Sequence, residues 1–180
     1  MHRLFVAIPL PEPVKDRLEQ FQAGLAGARW VPRENMHLTL RFIGAVAGDQ
    51  AEDIDTELAT VRAPPFPVTL EGAGTFPGRG KPRSLWAGVA ANGALAELKG
   101  RVDRALARAG CEPDQRKYTA HVTLARLKGT RRESVADFAA RAAPAIPIGF
   151  DVATFVLYSS FLASSGAIYT PEATYPLAGP

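Results

Sequence analysis

Four segments of the 180-residue chain recur at a near-constant distance. LFVAI at 4–8 and LWAGV at 85–89 lie 81 residues apart, the helical patterns that follow them about 83, and HLTL at 37–40 and HVTL at 121–124 lie 84 apart. FPVTLEGAG at 66–74 and IGFDVATF at 148–155 repeat with an offset of about 81 to 82. An offset kept across four elements marks an internal duplication. Two copies are too few to stack as a solenoid. The pattern therefore predicts one domain over 1–180, built from halves of about 1–82 and 83–180. These halves form two intertwined α+β lobes related by a pseudo-twofold axis, with a central cleft between them.

Within each half the hydrophobic period switches between strand and helix. RLFVAI at 3–8 reads as a buried strand, and Pro11 and Pro13 open a helix carrying Val14, Leu18, Phe21 and Leu25 on one face, closed by Gly24 and Gly27. MHLTLRFIG alternates as a strand up to Gly44, and a helix with Ile54, Leu58 and Val61 follows. PVTLEG reads as a strand, and a Gly/Pro-rich loop runs from Gly72 to Pro82. After SLWAGV comes a helix with Leu95, Leu98, Val102 and Leu106, stopped by Gly110, and then HVTLARL. A fourth helix carries Val135 and Phe138. Ile146 to Leu157 reads as further strand, and AIYTPEATYPL as a last strand or hairpin.

Composition narrows the class. At 47% hydrophobic residues the chain has enough apolar surface for a core, and its apolar runs, such as Leu4 to Leu10, are far too short to span a membrane. It reads as a soluble cytoplasmic protein. One cysteine, Cys111, makes no internal disulfide and has no CxxC partner for zinc. The net charge of +3 comes with basic clusters at Arg79, Lys81 and Arg83, at Arg116 and Lys117, and at Arg126, Lys128, Arg131 and Arg132. Such clusters favour anionic ligands, though a solvated basic face is their commoner meaning.

The repeated four-letter motifs carry the chemistry. Side chains at i and i+2 of a strand share a face, so His37 points with Thr39 and His121 with Thr123, while the apolar residues between them face the core. Two lobes thus bring two imidazoles and two hydroxyls to one cleft. That set suits a phosphate. Water opens a cyclic phosphodiester when one group removes the water proton and another protonates the departing ribose oxygen, and histidine does either near neutral pH. Threonine hydroxyls donate to the non-bridging oxygens where charge accumulates. The scheme requires no metal and no cofactor. One HxT motif alone would more often be a core histidine, but two at the duplication offset agree across levels.

With RLFVAIPLP at its start, WVPRENMHLTLRFIG, FPGRGKPRSLWAGV, HVTLAR and a terminal SGAIYTPEATYPL, the chain resembles the two-histidine phosphoesterase superfamily. Within it, the resemblance is to the RNA 2′,3′-cyclic phosphodiesterases, also called 2′-5′ RNA ligases, and it covers nearly the whole chain. It implies catalytic histidines on strands of two antiparallel sheets with flanking helices, lining a central groove. It also implies hydrolysis of a terminal 2′,3′-cyclic phosphate to a 2′-phosphate, and the related 2′-5′ ligation in which a 5′-hydroxyl replaces water. Carried onto matching positions, His37 is the proton donor, His121 the proton acceptor, and Thr39 and Thr123 hold the phosphate oxygens.

Arg126 matches a family arginine for phosphate or RNA backbone, although strict alternation would turn it away from His121. Arg41 has the same parity as His37. Tyr118 is a candidate for stacking on a base, with packing against a helix as the competing role. Ala120 stands where many relatives have proline. The expected partners are RNA ends bearing the cyclic phosphate, tRNA halves among them, met by a monomer. The competing readings are a phosphodiesterase of a small cyclic nucleotide or ADP-ribose cyclic phosphate, and a noncatalytic RNA-binding module. Neither a metal-dependent hydrolase nor a nucleotide-driven ligase finds its motif here.

Overall fold

The computed structural model describes residues 2–77 and 79–179. Its elements run β1 (His2–Pro9), α1 (Glu12–Glu19), β2 (Ala28–Trp30), β3 (His37–Val46), α2 (Gly48–Leu58), β4 (Phe66–Gly74), β5 (Ser84–Val89), α3 (Gly93–Arg108), β6 (His121–Leu127), α4 (Arg132–Ala142), β7 (Ile148–Val152), β8 (Thr154–Ala163) and β9 (Gly166–Pro176). Single 3-10 turns precede β3 (Arg33–Asn35) and β7 (Ala143–Ala145).

Helix α1 is shorter than its hydrophobic spacing predicts. It buries Val14 and Leu18 and ends at Glu19. Phe21 and Leu25 still reach the core, but from an irregular segment in which Gly24 and Gly27 take φ of 76° and 80°. At Gly27 a Cβ would overlap the Lys128 carbonyl, so glycine lets this segment lie against the chain leaving β6. Helix α3 follows expectation. The Asn92 side chain caps it by accepting from the Leu95 N–H at 3.0 Å, and Leu95, Leu98, Val102, Ala105 and Leu106 form its buried stripe.

All strand pairs are antiparallel, in the order β7-β4-β5-β6-β3-β1-β8-β9, with β2 paired to β6 off this path. The sheet curls into two lobes. One holds β3, β1, β8 and β9, and the other β6, β5, β4 and β7. They join where β3 meets β6, through the single register pair Leu38 and Val122 among the described residues. Helices α2 and α3 pack on each other, with α3 against β3; α4 packs against β4 and α1 against β7. The fold is therefore α+β and bilobal, each lobe an antiparallel sheet with flanking helices, around a central cleft.

The fourth recurring segment pairs differently from its sequence offset. FPVTLEGAG and IGFDVATF do not occupy equivalent places but lie side by side, Phe66 opposite Val152 and Val68 opposite Phe150. The counterpart of β4 is β8. Gly74 faces Trp86 of β5, itself opposite Thr123, and Val156 of β8 faces Ala7 of β1, itself opposite Thr39, so equivalent positions on β4 and β8 are 156 minus 74, or 82, residues apart. Strand β4 thus crosses to the strands that follow it, and β8 returns to β1.

Candidate active site

Histidines 37 and 121 begin β3 and β6 and flank the Leu38–Val122 pair, so the seam between the lobes sets them on either side of one cleft. The cavity there has a volume of about 600 Å³ and is lined by His37, Thr39, His121, Thr123 and Arg126, with Arg29 and Phe42 at its edges. Neither threonine hydroxyl is engaged by another described residue, which leaves both available to a ligand. The four motif residues thus line a single cavity.

Each imidazole is oriented in the same way. The Nδ1–H of His37 donates to the Asn35 carbonyl at 2.8 Å, and that of His121 to the Thr119 carbonyl at 2.7 Å. A carbonyl only accepts, so Nδ1 keeps its proton in either charge state and Nε2 is left to act as acid or base. Before His37, the 3-10 turn is fastened from two sides. Arg33 pairs with Glu12, Asp16 and Glu19 of α1, and the Asn35 side-chain amide donates to the Ala167 carbonyl of β9 at 2.8 Å.

The surroundings of the two rings differ. His37 is walled by Phe5, with ring centroids 5.0 Å apart, by Tyr169 edge-on at 5.4 Å, and by Tyr158 at 6.3 Å. His121 meets Phe76 edge-on at 5.0 Å and Trp86 at 6.4 Å. Burial, and then the charge of His121, lower His37 from the usual 6.5 to about 4, against the opposing pull of the Asn35 carbonyl. That shift favours the neutral ring of His37 at neutral pH. This runs against its carried-over role of charged donor unless a bound anion restores its proton.

Strand alternation fails at the same place in both copies. On β6, Thr123 faces Trp86 and Ala125 faces Leu85, so Leu124 is an extra residue; on β3, Thr39 faces Ala7 and Arg41 faces Val6, so Leu40 is extra. A bulge of this kind reverses the parity of everything after it. Arg126 is thereby turned into the cleft, despite the odd spacing from His121, and it has no ion pair or hydrogen bond with another described residue. Arg41 is turned the other way. It is only 7% exposed, pairs with Asp103 of α3 at 2.9 Å, and donates to the carbonyls of Glu112 and Phe42.

Tyr118 does not line the cavity. Its hydroxyl donates to the Thr39 carbonyl at 2.9 Å and its ring lies 5.2 Å from the Lys99 ammonium, so it braces β3 from behind. Burial and the nearby Asp103 carboxylate push its phenol well above the ordinary value. The residues that sequence reasoning missed are the aromatic wall of Phe5, Phe42, Tyr158 and Tyr169. Phe5 and Trp86 both stand on the cleft face of the strand beside a motif strand, Phe5 opposite Phe42 and Trp86 opposite Thr123, and both lie within the LFVAI and LWAGV segments.

Comparison with known proteins bears on the same residues. The family described as LigT like Phosphoesterase matches twice, over residues 8–86 and 88–169. An RNA 2′,3′-cyclic phosphodiesterase of Archaeoglobus fulgidus is 33% identical over 170 residues, covering 93% of this chain and 96% of that protein. A protein of the same name from Escherichia coli is 30% identical, covering 94% and 93%. Among solved structures, E. coli LigT complexed with 3′-AMP superposes with a TM-score of 0.79 at 27% identity over 99% of both chains. TT0787 of Thermus thermophilus gives 0.78 at 26% identity over 97% of both. The chain is an enzyme of the LigT-like phosphoesterase family.

Proposed function

We propose that this protein is an RNA 2′,3′-cyclic phosphodiesterase that converts a terminal cyclic phosphate to a 2′-phosphate. The observation that carries the reading is the pair of identically oriented Nε2 atoms on opposite sides of one cavity, each beside an uncommitted threonine hydroxyl. The names of the relatives point to the same substrate. Water attacks phosphorus, the new P–O bond forms and the bond to O3′ breaks. His121 Nε2 accepts the water proton and His37 Nε2–H protonates O3′. Thr39 and Thr123 donate to the non-bridging oxygens, whose charge grows in the transition state. A 5′-hydroxyl in place of water gives 2′-5′ ligation by the same path. Residues 1–82 and 83–180 are the two copies of a single domain. The enzyme acts as a cytoplasmic monomer on RNA ends such as tRNA halves.

The diester's negative charge between the rings offsets the desolvation that keeps His37 neutral. A second reading exchanges the roles, with His37 as base and His121 as acid, and the proton affinity of His37, lowered by burial, favours it. The decisive assay uses chelator-treated enzyme on a short RNA with a 2′,3′-cyclic end. His37→Ala and His121→Ala are each expected to lose about 10²-fold or more in kcat. Undiminished turnover in either variant rejects a two-histidine mechanism.

A further inference from the structure

Two arginines stand directly opposite each other at the edge of the cleft. In the β2–β6 ladder Arg29 faces Arg126, and both line the cavity. Like charges in that relation are destabilising. Among the described residues no carboxylate relieves them: Arg29 has only a 3.3 Å bond from Nη2 to the Ser165 carbonyl, Arg126 makes no hydrogen bond or ion pair, and Glu34, the carboxylate on the cavity lining, pairs with neither. Because Leu124 is bulged out, Thr123 and Arg126 face Trp86 and Ser84, two residues apart on β5. That sets the backbone position of Arg126 roughly 7 Å along the strand from that of Thr123, a step comparable to that between successive phosphates of an extended RNA strand. In the other copy Phe42 occupies the position of Arg126, so only one side of the cleft is cationic.

We propose that Arg29 and Arg126 form a second anion subsite, which takes the phosphodiester one nucleotide inward from the cyclic end. The proposal rests on the RNA phosphodiesterase reading and sharpens its substrate class to oligonucleotides rather than cyclic mononucleotides. Guanidinium groups suit the purpose, since a planar fork engages phosphate oxygens in pairs. The RNA strand leaves the reacting centre over β6 and β2, and the like-charge repulsion is relieved when the phosphate arrives.

The test compares a nucleoside 2′,3′-cyclic phosphate with a free 5′-hydroxyl against a trinucleotide with the same cyclic end. For Arg29→Gln, kcat/KM on the trinucleotide is expected to fall at least tenfold more than on the mononucleotide, through KM, with Arg29→Lys recovering part of it. The log–log salt dependence of trinucleotide binding should lose about one in slope. Equal losses on both substrates would reduce Arg29 to a tether for the Ser165 turn and overturn the subsite, as would no loss on either. If the wild type opens neither substrate, the phosphodiesterase reading has failed. The subsite is then still decided by fluorescence anisotropy with a trinucleotide ending in a 2′-phosphate, measured against adenosine 2′-phosphate. Weaker trinucleotide binding by Arg29→Gln, at least tenfold beyond the change for the nucleotide, supports it, and parallel changes reject it.

Discussion

His37 and His121 make the same hydrogen bond to a carbonyl two residues upstream, yet their surroundings differ. Aromatic rings exclude water from His37 and bring it to about 4, below the 6.5 of an unfolded chain. The unfolded state therefore binds the extra proton first. Stability contributed by this group is complete above pH 6.5 and is lost as pH falls towards 4, by at most about 3 kcal/mol. Urea unfolding of wild type and His37→Gln at pH 7.5 and 4.5 should show a smaller acid loss in the variant. Inorganic phosphate in the cleft should raise the His37 titration, read by imidazole NMR, because an anion favours the charged ring. The sequence shows two equivalent histidines. Their inequality is invisible there because Tyr158 and Tyr169 arrive from β8 and β9, more than 100 residues away.

At the level of elements, the strands carrying the motifs were legible and their interruptions were not. Alternation places His37 with Thr39 and His121 with Thr123, but Leu40 and Leu124 look like ordinary core positions in HLTL and HVTL. Only the partner strand, being one residue short at each place, reveals the bulge. That is why Arg41 and Arg126 exchange the faces that parity assigns them. The interior Arg41 also has a measurable cost. Asp103→Ala would leave it buried without its carboxylate and is expected to destabilise by about 3 kcal/mol, whereas Asp16→Ala, in the exposed cluster on Arg33, should cost about 1 kcal/mol or less. Chemical denaturation of the two variants separates these figures easily. A value for Asp103→Ala near that of Asp16→Ala would mean that Lys99 and Arg41 do not depend on Asp103.

At the level of the whole molecule, the near-constant period is legible in the sequence, but not the exchange of strands between residues 1–82 and 83–180. Spacing records which residues repeat and carries no record of which strands pair. Strand β4 completes the sheet begun by β5 and β6, β8 and β9 complete the one begun by β1 and β3, and α3 supports β3 through the Arg41–Asp103 pair. Expressed separately, 1–82 and 83–180 should each remain unfolded by circular dichroism, since each lacks the partner of an apolar strand, while mixing the two should restore structure. A separately folded half would contradict this.

The one-pair junction between Leu38 and Val122 also has a mechanical meaning. Displacement in a rotation grows with distance from the axis, and the His37 and His121 imidazoles stand next to this seam while Arg29 and Leu162 belong to the cavity lining away from it. A twist that widened the rim by ångströms would barely separate His37 from His121. Any rotation of the lobes about this seam would be resisted at the mouth of the cavity, where Arg29 of β2 is tied to the Ser165 carbonyl between β8 and β9 at 3.3 Å.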